Sequence, residues 1–300
     1  MRLFIKKTIL FGFCIVAIFT LLVFIIPINP DAYLCAYKNK CRLLESTPSP
    51  RIIFVGGSNL AFGLDSKRIK DSLHVNVVNT GLQADIGLKF MVDDISLYAR
   101  KGDIVVLAPE YDIFYGDMMA GVPVSISEIM FITNFKKAGM LNTAQWINVI
   151  SGIPAELICR IEQQKAGPRA YRASNFNEFG DEVHHWHMPS IPVAKPTPPQ
   201  EKFNVAMGRY IIGRLKELQK RCKVIVIPTA YRQTAFDIWG KQVKEVAAFL
   251  DKEGFPFAIS PQECVFPDKQ AFDSDFHMDK QGVDRRTTMI IKCLQKYTFE

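Results

Sequence analysis

The chain has no Cys-x-x-Cys pair, so nothing supports a zinc site of that spacing. It has no Lys/Arg block beyond pairs and triplets, and no nucleic-acid-binding motif. Its 37 basic and 30 acidic residues leave a net charge of +7 spread along the chain. That balance reads as a solvated mixed-charge surface and argues against a nucleic-acid partner. No internal repeat is present, which argues against a repeat architecture. What remains is 300 residues with a 48% hydrophobic share, enough for one sizeable domain with appendages and a core that needs no staples.

One apolar run stands out. Arg2, Lys6 and Lys7 precede an uncharged stretch from Thr8 to Ile28, and about 20 such residues span a bilayer. The run closes with Ile25-Ile26-Pro27-Ile28, which offers no small-x-small cleavage site. An uncleaved signal anchor is therefore expected in preference to a cleaved signal peptide. The basic flank places residues 1–7 in the cytoplasm, 8–28 in the membrane and the rest outside, periplasmic in a Gram-negative cell. Residues 29–50, closing with Ser46-Thr47-Pro48-Ser49-Pro50, read as a stiff stem. Cys14 lies in the span. The other six cysteines permit disulfides, and a local Cys35–Cys41 bridge is the simplest, although sequence does not choose among pairings.

From Arg51 onward, short apolar runs alternate with helical spacing. Strands are expected at 51–57, 75–78, 103–108, 223–227 and 255–259. Helices are expected from an Asp65-Ser66 cap to Leu73, and over 86–100, 203–221, 235–253 and 281–294. This rhythm predicts an α/β domain over 51–300, with a parallel sheet covered on both faces and ligands outside the carboxyl ends of the strands. Between 111 and 199 the rhythm breaks, and an insertion of lid type is expected.

Three points carry chemistry. Gly56-Gly57-Ser58-Asn59 follows the first strand, where a serine hydroxyl can stand beside free backbone N–H groups. Gly81 follows the second strand, where a glycine admits close backbone approach to a ligand. His277 stands in Phe272-Asp273-Ser274-Asp275-Phe276-His277, among carboxylates able to fix its tautomer. In this order the three resemble the SGNH (GDSL-like) hydrolase superfamily over about 51–108 and 223–294. The look is closest to its membrane-anchored members of envelope polysaccharide modification, through Gly56 to Asp65 and Val265 to His277.

The resemblance implies a three-layer flavodoxin-like domain and serine-dependent acyl transfer or ester hydrolysis on an extracytoplasmic glycan. It implies Ser58 as nucleophile and His277 as base, with Asp273 favoured over Asp275 to orient the ring. Gly57, Asn59, Gly81, Glu110 and Tyr111 would form the oxyanion and substrate site. No cofactor or metal is implied. An envelope glycan or acyl-carrying substrate, the membrane and an acyl-donor membrane protein are the implied partners.

The chain departs from the superfamily after the third strand. Ala108-Pro109-Glu110-Tyr111-Asp112 holds no asparagine to act as an oxyanion donor, so Asn59, Tyr111 or backbone groups would have to substitute. That departure supports an alternative, a non-catalytic glycan-binding or assembly factor on a degenerate scaffold. Within the insertion, His184-His185-Trp186-His187 could ligate a metal or form a substrate-contacting lid with Trp186 as a stacking surface. Arg172 and Asp181 are candidate polar contacts on that lid.

Overall fold

The computed structural model describes residues 1–164 and 170–298, so 165–169 of the expected insertion lie outside the described residues. In chain order the elements are α1 (Arg2–Ile25), α2 (Ala36–Ser46), β1 (Arg51–Gly56), α3 (Ser58–Ala61), α4 (Ser66–Leu73) and β2 (Asn76–Asn79). Then come α5 (Leu88–Tyr98), β3 (Ile104–Ala108), α6 (Pro123–Ile132), α7 (Thr143–Gln163), α8 (Val205–Gln219) and β4 (Lys223–Val226). The chain closes with β5 (Tyr231–Arg232), α9 (Gln233–Lys252), β6 (Val265–Phe266) and α10 (Lys280–Thr298).

The main sheet has four parallel strands in the order β2-β1-β3-β4. Its two faces follow from the period of a strand, in which successive side chains point to opposite sides. Ile53 and Val55 of β1 pack with α5, α8 and α9. Ile52 and Phe54 pack with α4 and α10. The strand order reverses between β1 and β3, and the crevice outside their carboxyl ends is where such sheets bind ligands. Ser58 follows β1 and Glu110 follows β3, so both stand at that crevice.

Local signals account for much of this. Asp65 caps α4 by accepting the Arg68 N–H at 3.0 Å. The strand expected at 255–259 is reduced to one bridge, Val226 to Phe257. Pro256 interrupts it, having no N–H to donate. The two-stranded pair of β5 and β6 was not expected from sequence.

The expected stem is corrected. Residues 36–46 form α2, whose Ala36, Tyr37, Lys40 and Leu44 make one buried face against the domain. This face recurs at helical spacing, which the flanking prolines mask. Arg51, fully buried, fastens α2 to the base of the sheet. It donates to the Leu44 and Thr47 carbonyls at 2.6 and 2.8 Å and pairs with Asp103 at 3.3 Å. Cys35 and Cys41 are free thiols and form no bridge.

At 1.5 Å per residue, α1 measures about 36 Å. Side chains at 2, 9, 15–17, 20 and 24 lie outside the described residues and interrupt its run. Among the described residues no helix is long and apolar enough to cross a membrane.

Candidate active site

Three segments meet at the carboxyl rim of the sheet. The first is the turn that carries Ser58 at the start of α3, the second the end of β3, and the third the loop before α10. Arg286 of α10 is buried and locks the third to the first. It donates to the Asn59 carbonyl and, at 2.9 Å, to Asn59 Oδ1. Phe62, four residues after Ser58, stacks on the His277 ring with centroids 4.3 Å apart and planes 14° apart. The serine and the histidine of the sequence reading therefore belong to one rim, joined through Phe62.

The His277 ring is oriented from one side. Its Nδ1 lies 2.7 Å from Asp273 Oδ1. A carboxylate only accepts, so Nδ1 carries the proton and Nε2 presents its lone pair. The second Asp273 oxygen accepts from the Tyr171 hydroxyl at 2.7 Å. Burial lowers the His277 pKa, against the opposing pull of Asp273, and keeps the ring neutral near pH 7. Burial alone would raise the Asp273 carboxyl, but hydrogen bonds from His277 and Tyr171 outweigh it and hold it below its ordinary value. Asp275 does not reach the imidazole; it pairs with Arg232 at 2.6 Å.

His277 Nε2 is buried and has no hydrogen-bond partner. It is therefore not hydrogen bonded to Ser58 in this structure. An orphaned buried acceptor costs about 1–3 kcal/mol, and this one differs from other unpartnered buried atoms, such as the Tyr111 hydroxyl, in lying on a ring whose other nitrogen a carboxylate fixes.

The expected oxyanion donors are redistributed. The Gly81 N–H already donates to Asn79 Oδ1 at 2.9 Å. A Cβ at Gly81 would stand 2.4 Å from Leu60 Cβ and 2.9 Å from the Gly57 carbonyl oxygen. This glycine admits the serine turn itself, not a ligand. Asn59 Nδ2 donates to the Ala108 carbonyl at 3.0 Å and to Glu110 Oε1 at 3.1 Å. With Oδ1 taken by Arg286, the Asn59 side chain is committed to holding the rim. Tyr111 is buried in the core with its ring edge-on to Tyr231 and Phe257, and its hydroxyl has no partner. The Ser58 N–H has no backbone acceptor among the described residues.

Glu110 stands where the resemblance expected an asparagine. It is buried, and its Oε1 accepts both the Asn59 backbone N–H and Nδ2 at 3.1 Å. A Cβ on Gly57 would lie 2.5 Å from that oxygen, so only glycine admits the carboxyl beside Ser58. Burial, helped by the nearby Asp112 charge, pushes the Glu110 carboxyl up to about 8. With Oε1 receiving two donors, the proton sits on Oε2.

The insertion supports the rim more than it offers contacts to a substrate. Asp181 is buried and corrects the lid reading: it accepts from the Ser66 N–H and from Asn79 Nδ2, both at 2.8 Å. Arg172 pairs with Asp31 at 3.9 Å, on the stem side. The Trp186 ring is covered by Lys280, whose Nζ sits 4.1 Å from its centroid, so this face is not free for stacking. His185 is buried, pairs through Nδ1 with Glu182, and turns Nε2 to the Met278 carbonyl at 3.0 Å. His184 and His187 are exposed. Among the described residues no group of three or more His, Cys, Asp or Glu could hold a metal.

Sequence reasoning missed Phe62, Tyr171, Glu182 and Arg286. Only Glu182 left a trace, three residues before His185 on one turn. No protein-family model, curated protein or solved structure matches this chain.

Proposed function

We propose that this protein is a membrane-anchored, serine-dependent acyltransferase or esterase of SGNH type, acting on an extracytoplasmic glycan or similar envelope acceptor. One observation carries the reading most. A buried, neutral imidazole is oriented by a carboxylate at Nδ1, and its Nε2 has no partner.

The reaction follows from these groups. Ser58 Oγ attacks the acyl carbonyl carbon while His277 Nε2 takes the hydroxyl proton. Asp273 stabilises the imidazolium that results. The Ser58 N–H and the neutral Glu110 carboxyl, through Oε2–H, donate to the developing oxyanion. As the tetrahedral intermediate collapses, the leaving alcohol departs with the proton from His277, and the acyl group stays on Ser58. An acceptor hydroxyl, of a sugar or of water, then gives its proton to His277 and attacks the acyl-enzyme, which restores Ser58.

The anchor is α1. Its exposed Leu3, Phe4, Ile5, Phe11, Phe13 and Ile18 point in all directions about the axis, a pattern suited to lipid and not to one packed face. The flanking Arg2, Lys6 and Lys7 favour a cytoplasmic N-terminus. The neighbouring partner would then be a membrane protein that supplies the acyl group.

A second reading, a non-catalytic glycan-binding or assembly factor, draws on the committed Gly81 N–H and on the missing hydrogen bond between Ser58 and His277 Nε2. Full-length protein in detergent, exposed to a fluorophosphonate probe and p-nitrophenyl acetate, decides between them. Catalysis requires that wild type react and Ser58→Ala lose both labelling and turnover. Equal behaviour of the two proteins would remove Ser58 as nucleophile and leave the binding reading.

A further inference from the structure

We propose that the α6–α7 hairpin is a second membrane contact, lying on the lipid surface where α1 leaves the bilayer. Its placement rests on the anchor reading of α1; its surface chemistry is independent of it.

The helix α7 is an unusual solvent-facing helix. Its exposed Ile147, Ile150, Ile158 and Ile161 are each at least half accessible. Every exposed position from Ala144 to Ile161 is uncharged, and the exposed Glu162 follows only at the end of the helix. The two charges in that stretch, Glu156 and Arg160, are buried and paired with each other at 2.5 Å. On α9, by contrast, the exposed positions include Asp237, Lys241, Lys244 and Glu245. An outward helix face free of charge over about five turns is expected next to lipid and disfavoured in water.

The fold carries this face to the end of the anchor. Ser127 Oγ of α6 donates to the Val149 carbonyl at 2.6 Å, and Gln163 Nε2 donates to Glu128 at 3.2 Å. Pro154 stands inside α7 between these two contacts. The segments of α7 on both sides of it thus touch α6.

Beyond Pro154, Arg160 donates to the Val23 and Ile26 carbonyls at 3.0 and 2.9 Å, satisfying the last turn of α1. The Gln163 carbonyl accepts from Asn29 at 2.7 Å. Ile158 and Ile161 flank Arg160 in sequence and so lie at the height at which α1 emerges. The Arg160 guanidinium sits 4.7 Å from the Phe131 ring, which meets Phe135, which stacks on Trp146. Aromatic side chains and the exposed Lys136 beside them are what a bilayer interface takes. This patch would hold the domain against the membrane, with anionic headgroups meeting Lys136.

The test uses the full chain in vesicles of phosphatidylcholine and phosphatidylglycerol that contain an alkyne-tailed phospholipid. Benzoylphenylalanine replaces, one at a time, Phe13 in α1, Ile147 and Ile158 in α7, and Val205, an exposed apolar residue of α8. After irradiation, lipid adducts at 147 and 158 should exceed those at 205 several-fold. If 13 labels while 147 and 158 stay at the level of 205, the hairpin contact is wrong and the anchor stands. If 147 and 158 label and 13 does not, the anchor reading fails and the surface contact stands. Adducts from 147 or 158 to a second copy of the chain in place of lipid also overturn the proposal.

Discussion

Two histidines pack against the same phenylalanine ring, with centroid distances to Phe62 of 4.9 Å for His185 and 4.3 Å for His277. Both are buried, and both pair through Nδ1 with a carboxylate, Glu182 for one and Asp273 for the other. They part at the far nitrogen. That of His185 is engaged by the Met278 carbonyl, and that of His277 has no partner. Burial and a carboxylate are thus shared by the two histidines, and the unpartnered Nε2 of His277 separates them. The two are also mechanically linked. Met278 follows His277 in the chain, so the closed histidine holds the backbone that presents the open one.

The largest expected effect breaks this pair apart. His277→Ala should lower kcat/KM by about 10²–10⁴-fold by removing the proposed base, and should also lower the unfolding midpoint, because Asp273 loses the Nδ1–H it accepts and Phe62 loses the ring stacked on it. His185→Ala should act on stability and not on chemistry. It takes the imidazole from the buried Glu182, which keeps only the backbone N–H groups of positions 184 and 185, a change that should cost about 1–3 kcal/mol on chemical denaturation. Should His185→Ala unfold like wild type, the distinction between the two rings would have no basis.

A smaller effect sharpens what lies opposite His277. Glu110→Ala should lower kcat by about 10²–10³-fold, the cost of losing one oxyanion donor. Glu110→Gln keeps a donor and should retain most activity. In wild type, kcat/KM should rise with pH as His277 loses its proton below its ordinary 6.5, then fall through about 8 as Glu110 ionises. The alkaline fall should vanish in Glu110→Gln. The same carboxyl links to stability. The fold holds its proton to about 8, whereas the unfolded chain releases it near 4.5. Its contribution is thus complete below 4.5 and is lost as pH rises through 8, relative to Glu110→Gln. An unchanged alkaline limb in the glutamine variant would show that Glu110 is not the group titrating there.

The smallest effect concerns the two aspartates of the histidine loop. Asp275 faces Arg232 and not the imidazole, so Asp275→Asn should leave turnover near wild type while lowering the melting temperature. A fall in kcat/KM matching that of His277→Ala would move the orienting role from Asp273 to Asp275.

Much of the scaffold was readable from local pattern. The unbroken apolar run Ile52-Ile53-Phe54-Val55 announced a buried strand, and Asp65-Ser66 announced the start of α4. Position at strand ends brought Ser58 and Gly81 forward as candidates, the acidic loop did the same for His277, and Glu110 came forward only through the family resemblance. Other features gave no local signal. The buried face of α2 is hidden between prolines, and Asp181 reads as a loop acid although it is sealed beneath the sheet edge. Gly81 looked like a ligand contact, yet its Cβ-free surface serves the neighbouring turn.

The order of strands and helices, the apolar N-terminal run and the residue types at the sheet rim are properties of the chain itself, because period and composition act over a few neighbours. Which carboxylate meets which imidazole, which N–H groups remain free, and whether Glu110 carries a proton depend on burial and on partners up to 227 positions apart, as in Arg286 and Asn59. Those outcomes depend on desolvation and on hydrogen-bond competition in three dimensions, so the folded arrangement alone decided them.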